Sequence, residues 1–237
     1  MPQPLVPARL AFRGDAPFSQ AFEDVYHSAD GGLAQARHVF LGGNGLPTRW
    51  AGRERFVVFE TGFGLGLNFL ATWRAWREDP SRCGRLHYVA VEKHPFTLED
   101  LRTLHQRLPE LEKEAGELHS IWPLLVPGGH RAQLDDGRVV LTLFFSDISV
   151  TRDLRLNADA FYLDGFAPAK NPEMWSPQLF RALSRLAAPG ATAATWSVAA
   201  PVREALERVG FRTEKRPGFG SKREMLCASY TKDASIG

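Results

Sequence analysis

Four acids and one cluster of glycines are the residues of this chain whose types and spacing could do chemistry together. The glycines lie in FETGFGLGLNF, Phe59 to Phe69, where Gly62, Gly64 and Gly66 alternate with bulky apolar residues. Glycine has no Cβ, so backbone there can lie directly against a ligand. Glu60 stands two positions before the first glycine, and Glu92 follows 32 residues later at the end of the apolar run RLHYVAVEK. Asp147 closes a third run, FFSDI, and Asp164 follows a fourth in FYLDGFAP. An acid ending the second strand of an alternating chain can grip a ribose diol. An acid ending the third can meet the amino group of an adenine. A single such acid is ordinarily a solvated strand end, and the set is what marks a site.

The glycine spacing narrows the ligand. A dinucleotide loop reads GxGxxG or GxGxxA, its third small residue letting helix and strand approach closely. Aligned on Gly62 and Gly64, that third position is Leu67, which is wrong for NAD or FAD. The spacing GxGxG, ending at Gly66 with an acid ahead of it, is instead the pattern used for S-adenosylmethionine (SAM). The residues expected to hold that cofactor are Glu60, Gly62, Phe63, Gly64, Gly66, Asn68, Glu92, Lys93, Asp147 and Asp164. No metal site is expected, because the histidines show no ligand spacing.

DGFAPAKNPEMW, from Asp164 to Trp175, suits methylation of an amine. An amine attacks through its lone pair, so it must be neutral and aimed, and a carboxylate within hydrogen-bond reach can orient the N–H and accept the proton. Phe166, Pro168 and Trp175 would stiffen the loop and offer an aromatic wall, the alternative being that both aromatics are core residues. RTEKRPGFGSKR, residues 212–223, holds five basic residues against the one acid Glu214. Lys215, Arg216, Lys222 and Arg223 could hold phosphates and Phe219 could stack on an unpaired base. The alternative is a solvated hairpin turn.

The elements that must carry these residues follow from apolar periodicity. RFVVFE reads as a buried strand, Asn68 to Glu78 as a helix, RLHYVAVEK as a strand, and Thr97 to Leu108 as a helix opened by Thr97 with Asp100 three residues on. HRAQL-DDG-RVVLTLFFSDI reads as a hairpin whose second arm becomes a core strand. DAFYLDGFAP, a helix over Pro177–Ala187, GATAATWS, a helix over Ala199–Val209, and an antiparallel pair FRTEKR and EMLCASY complete the series. Strands alternating with helices predict a doubly wound, mostly parallel α/β sheet. Residues 1–50 read as short strands and turns forming an N-terminal extension, 51–237 as the main domain, with an insertion over about 109–137.

The chain of 237 residues is 44% hydrophobic and 24% charged with a net charge of +2, an ordinary balance for a globular protein. Cys83 and Cys227 form no CxxC pair, and a reducing cytoplasm suits them. MPQPLVPARL has no long apolar core, and no run approaches the ~20 residues of a membrane span.

Five segments together, FSQAFEDVYHS, RHVFLGGN, FVVFETGFGLGLNFL, FYLDGFAPAKNPEMW and KRPGFGSKREMLC, resemble the methyltransferase domain of the bifunctional tRNA 5-methylaminomethyl-2-thiouridine biosynthesis (MnmC) family. They run from Phe18 to Cys227, nearly the whole chain. The resemblance implies a class I methyltransferase fold, a seven-stranded sheet whose last strand is antiparallel. It implies methyl transfer from SAM to the exocyclic amine of 5-aminomethyl(-2-thio)uridine at the wobble position of tRNA, in the anticodon region. Phe18 and Lys170 join the expected substrate contacts on these segments. The resemblance also implies a fused or partner FAD-dependent oxidase domain that makes the amine, and FAD is not expected on this chain. Leu65 stands where a smaller or polar residue would be expected. Two other readings compete: methylation of a small-molecule amine, which leaves the basic stretch idle, and a non-catalytic RNA-binding subunit on the same scaffold, which leaves Asp164 idle.

Overall fold

The computed structural model describes residues 5–27 and 31–231. Three short strands, β1 (Phe12–Arg13), β2 (Ala16–Ser19) and β3 (Asp24–Val25), form a small antiparallel sheet. The expectation of strands and turns holds only this far. From Gly32 the chain is helical, as α1 (Gly32–Gln35), a π-helical turn over Ala36–Leu41 and two 3-10 turns up to Trp50. LAQARHVFL consists largely of helix-compatible residues, and Leu33, Ala36, Val39 and Phe40 bury one helical face in the main core. Glycine pairs flank it, Gly31-Gly32 before and Gly42-Gly43 after, and none interrupts it. Gly32 is needed there, because a Cβ would come 2.6 Å from the side chain of Leu67.

The remainder alternates. In order it runs β4 (Arg55–Glu60), α2 (Leu67–Glu78), β5 (Arg85–Glu92), α3 (Leu98–His105), α4 (Glu112–Ser120), β6 (Gly128–Leu134) and β7 (Val139–Phe145). Then follow β8 (Ala158–Tyr162), α5 (Pro177–Leu186), β9 (Ala187–Thr195), α6 (Ala200–Arg208), β10 (Phe211–Pro217) and β11 (Glu224–Tyr230). The sheet order is β10-β11-β9-β8-β4-β5-β7-β6. β9, β8, β4, β5 and β7 are parallel, and β11 lies antiparallel between β9 and β10. The sheet has eight strands rather than seven. The extra one is β6, the first hairpin arm. A turn of left-handed residues, Asp135, Asp136 and Gly137, reverses the chain so that Leu134 meets Val139, and pairing then runs out to Gly128 and Phe145.

Both faces of β4 are covered, which is why its sequence is continuously apolar. Val58 and Phe56 pack with α2, α3, α4 and the N-terminal helical segment, while Val57 and Phe59 pack with α5 and α6. Thr97 caps α3, its hydroxyl accepting from the Asp100 amide at 3.1 Å and donating to the Asp100 carboxylate at 2.7 Å. The insertion expected over about 109–137 contains a full helix, α4. It is tied down by Arg77 of α2, which bonds Glu114, Glu117 and Asp135 at 2.7–2.9 Å. The order of strands reverses at β4, between β5 and β8, and ligands of such sheets sit beyond the carboxyl ends at that point.

Candidate active site

A cavity of about 750 Å³ opens there, a size that suits a nucleoside-sized ligand. Its floor is the loop between β4 and α2. Thr61 N–H donates to the Tyr162 carbonyl and Phe63 N–H to the Val91 carbonyl, so the loop is anchored to both neighbouring strands. Gly64 and Gly66 adopt left-handed φ of 53° and 77°, which glycine tolerates without strain. Gly62 is needed for space: a Cβ would lie 3.0 Å from the backbone oxygen of Asp164.

The acids differ in what they do. Glu92 accepts from Gly64 N–H through Oε2 and from His94 N–H through Oε1, both at 2.7 Å. It therefore shapes the glycine loop while its remaining lone pairs stay available to a diol. Asp147 lies two residues beyond β7 rather than at its end. It caps a 3-10 turn by accepting from Ser149 N–H at 2.8 Å, and that hydrogen bond holds its carboxyl below the usual range. Asp164 accepts from Gly165 N–H at 2.9 Å and from Asn68 Nδ2 at 2.7 Å. Asn68 uses its second amide hydrogen on Glu60 Oε1, also at 2.7 Å, and Tyr88 donates to Glu60 Oε2 at 2.9 Å. Burial pushes Asp164 up to about 6, against the pull of its hydrogen bonds from Asn68, Gly165 and Trp196. Burial, then the charge of Asp164, holds Glu60 well above the usual carboxylate range.

The glycine motif puts Glu60 at the ligand, but Glu60 is 0% exposed and does not line the cavity. It orients Asn68 from beneath. Gly66 also lies outside the lining, where it starts α2 and closes a turn by donating to the Phe63 carbonyl at 2.8 Å. The other expected cofactor residues, Gly62, Phe63, Gly64, Asn68, Glu92, Lys93, Asp147 and Asp164, all border the cavity.

The expected substrate residues divide. Phe166, Phe219 and Lys222 border the cavity, Lys222 Nζ lying 4.9 Å from the Trp196 ring centroid. Phe18, Pro168, Lys170, Trp175, Lys215, Arg216 and Arg223 do not. Trp175 packs into the α5–α6 core and donates to the Phe166 carbonyl at 2.9 Å, so it supports the loop instead of forming its wall. Lys170 donates to the Glu23 carbonyl and faces Asp24. Lys215 pairs with Glu224 at 2.8 Å and Arg216 with Glu214 at 2.9 Å, so two of the five basic residues of the stretch are neutralised within their own hairpin. The side chain of Phe18 lies under the Arg13 guanidinium, 3.9 Å away.

Sequence reasoning missed most of the aromatic wall. Phe22 stacks on Phe166 with centroids 4.7 Å apart, and Tyr26 meets Phe166 edge-on at 5.2 Å. Burial and the nearby Glu92 raise the Tyr26 phenol, which stays neutral. Trp196, just past β9, completes the wall. The only signal for Phe22 and Tyr26 is their presence in FSQAFEDVYHS; nothing local says that this extension folds over the ends of distant strands.

These residues fit SAM. A Cβ-free turn exposes backbone, Glu92 offers a carboxylate to a diol, and an ionised Asp147 stands near enough to border the same space. The comparisons with known proteins agree. The family described as S-adenosyl-L-methionine-dependent methyltransferase matches residues 109–231, more than half of the chain. The chain is 61% identical over 232 residues to the tRNA 5-methylaminomethyl-2-thiouridine biosynthesis bifunctional protein MnmC of Azoarcus sp. (strain BH72), covering 96% of this chain and 36% of that protein. It is 60% identical over 236 residues to the protein of the same name from Aromatoleum aromaticum, covering 99% and 37%. The chain thus spans little more than a third of the length of these relatives. Among solved structures it matches MNMC2 from Aquifex aeolicus with a TM-score of 0.70 at 22% identity, over 94% of this chain and 70% of that one. It matches a spermidine synthase with a TM-score of 0.50 at 11% identity, over 85% and 62%. Both likenesses show the fold. With the match over 109–231 and a site of matching chemistry, this chain belongs to the S-adenosyl-L-methionine-dependent methyltransferase family.

Proposed function

We propose that this chain methylates the primary amine of 5-aminomethyl(-2-thio)uridine at the wobble position of tRNA. The observation that carries the reading is Asp164, a carboxylate at the cavity wall, raised to about 6, next to the glycine loop and facing a wall of Phe22, Tyr26 and Phe166. The names of the relatives, which specify 5-methylaminomethyl-2-thiouridine, support the choice of nucleoside.

Bound SAM supplies an electrophilic methyl on a sulfonium. Everything else falls to the chain. The glycine loop and Glu92 would hold the cofactor, and Asp147, on the same cavity, would meet its base. The aromatic wall takes the flipped uracil by stacking, as single-stranded RNA bases are commonly held. Asp164 attracts the incoming ammonium and accepts a hydrogen bond from it, which aims the nitrogen. With SAM bound, the nitrogen, aimed by Asp164 and losing its proton, would take the methyl through its lone pair, the N–C bond forming as the sulfonium S–C bond breaks. The proton passes by way of Asp164 to water. Lys222 and Arg223, which make no ion pair among the described residues, and Phe219 contact the anticodon strand.

The relatives are called bifunctional, and this chain spans only part of them. An FAD-dependent oxidase, fused or separate, would free the amine that this domain methylates. The division into an extension over 1–50 and a methyltransferase domain over 51–237 belongs to the same proposal, as does a cytoplasmic setting. Among the described residues no helix is long and apolar enough to cross a membrane.

Nucleoside mass spectrometry tests the reading. Hypomodified tRNA incubated with this chain and SAM should gain one methyl on 5-aminomethyl(-2-thio)uridine and on no other nucleoside. A chain that leaves such tRNA unchanged but methylates free alkylamines would overturn it.

A further inference from the structure

The glycine loop has a tie that is not part of the cavity wall. His105, the last residue of α3, is 4% exposed. Its Nε2 lies 2.7 Å from the backbone oxygen of Leu65, between the two left-handed glycines. Its Nδ1 lies 2.8 Å from His119 Nε2 on α4, and the two rings stack 5.0 Å apart at 15°. Neither histidine lines the cavity.

The bonding leaves little freedom. A carbonyl oxygen only accepts, so His105 Nε2 must carry a hydrogen. Burial pushes His105 down to about 4, so near neutral pH the ring is uncharged and Nδ1 holds a lone pair. That lone pair can only accept, so His119 must present its Nε2–H. Burial and the Arg102 charge hold His119 below its ordinary value as well, and it reaches this state uncharged. Each ring thereby fixes the tautomer of the other, and the order His119, His105, Leu65 runs donor to acceptor throughout.

The tie accounts for Leu65. Its side chain is buried at 4% exposure, so its peptide is held by packing on one side and by His105 on the other. The neighbouring amides are committed too: Gly66 N–H to Phe63 and Gly64 N–H to Glu92. A Leu65 carbonyl without a donor would be a buried unpaired acceptor, and rotating that peptide would release both glycines from their left-handed turn.

We propose that His105, with its tautomer set by His119, is a positioning residue that pre-forms the SAM-binding turn. The inference rests on the cofactor site, not on the tRNA substrate. The helices that bring the pair together, α3 and α4, act through it on the loop, and neither histidine touches cofactor or substrate.

Calorimetric SAM titration of the whole chain, with steady-state kinetics beside it, tests this. His105→Leu keeps an apolar filler and removes the donor. If only about a tenth of the molecules then hold the bound-state turn, SAM affinity falls about tenfold. The KM for SAM should rise equally, while kcat at saturating SAM and the KM for the amine substrate stay within about twofold of wild type. His105→Gln carries an N–H donor at nearly the reach of the imidazole Nε2 and should restore affinity to within about threefold. His119→Phe keeps the stacked ring but frees the His105 tautomer, so affinity should fall by a few-fold. Ring nitrogen shifts should report Nε2-protonated, uncharged His105 in the wild type. SAM affinity unchanged in His105→Leu, or equally poor in His105→Gln, would reduce the pair to packing and overturn the proposal. Should His105→Leu fail to fold by circular dichroism, wild-type affinity in His119→Phe would overturn it alone. Failure of the wild-type chain to methylate tRNA would leave the calorimetric SAM affinities and the ring nitrogen shifts unaltered, so the two readings fail separately.

Discussion

Replacing Asp164 by asparagine isolates one negative charge. The shape is nearly kept: asparagine Oδ1 can still accept from Gly165 N–H, as the carboxylate does at 2.9 Å. The other atom becomes an NH2 facing Asn68 Nδ2, now 2.7 Å from a carboxylate oxygen. Two donors cannot share that contact, so the Asn68 amide must turn over. Its oxygen then meets Glu60, which can donate in its protonated form, the form that burial favours. Both contacts of Asn68, to position 164 and to Glu60, can thus be kept.

The loss falls on the substrate. Two unit charges about 4 Å apart at an effective dielectric of ~20 attract by ~4 kcal/mol. The asparagine carbonyl dipole keeps part of this, leaving a deficit of ~2.7 kcal/mol, or about 10²-fold in rate. SAM affinity should stay within a few-fold. Wild-type kcat should fall as pH drops through about 6, because the carboxylate is then protonated. The variant should lack that acid limb, and its remaining activity should rise only toward higher pH, where the amine itself deprotonates. Stability provides the control. A carboxyl raised from about 3.9 to about 6 binds protons in the folded state that the unfolded chain has released, so its contribution is lost as pH rises between those values. At neutral pH the variant should therefore be no less stable, with a gain of at most ~3 kcal/mol. Methylation at the wild-type rate by Asp164→Asn, or an acid limb that persists in it, would refute the assignment. SAM binding that collapses while saturated turnover survives would move Asp164 into the cofactor shell.

Three further outcomes follow from the same geometry. Gly62→Ala drives a Cβ to 3.0 Å from the Asp164 carbonyl, so the Asp164 loop must shift, and single-turnover methyl transfer should slow by about tenfold or more. Lys222→Glu with Arg223→Glu should weaken tRNA binding and reduce its log–log salt slope by about 1 for each phosphate no longer held, read by filter binding across salt concentrations. Arg77→Met strands Glu114, Glu117 and Asp135, and removal of this mostly buried hub should cost ~3 kcal/mol and lower Tm by about 6–12 °C in thermal melts.

What could be read from the chain was local. The glycine loop, the Thr97 cap and the Asp135-Asp136-Gly137 turn each depend on residues within a few positions, and each is where spacing puts it. Apart from the helical segment 32–50, read as strands and turns, the errors concern partners distant in sequence or one residue outside a local window. The basic stretch 212–223 includes Glu214 but ends one residue short of Glu224, which pairs with Lys215 across the hairpin. Trp175 and Phe166 stand in one motif, yet one is core and the other wall, because Trp175 packs with α5 and α6 while Phe166 packs with Phe22 and Tyr26 at the cavity. Glu60 is at a strand end as expected, but Tyr88 and Asn68 seal it from the cavity. Phe22 and Tyr26 reach the site only because β2 and β3 fold back over it.

The burial of Glu60 has its own use. Two carboxyl groups joined through one amide would repel if both were ionised, and the coupling falls on the more buried of them. Burial and the charge of Asp164 favour the protonated form of Glu60, so the negative charge of the pair falls on Asp164, and Asn68 donates to both. The Glu60–Asp164 pair then presents its negative charge to the cavity on Asp164, held by donors that cannot reorient while Glu60 remains in place. An alkylammonium with a pKa near the lysine value of about 10.4 lies more than four units above Asp164, so full transfer to the carboxylate in advance would cost ~6 kcal/mol in water. Asp164 is therefore too weak a base to hold the proton and strong enough to attract the cation. Desolvation between Phe22, Tyr26 and Phe166 lowers the ammonium's own pKa and narrows that gap. The proton can then leave as the nitrogen attacks, with Asp164 as the acceptor that directs it and water as its destination.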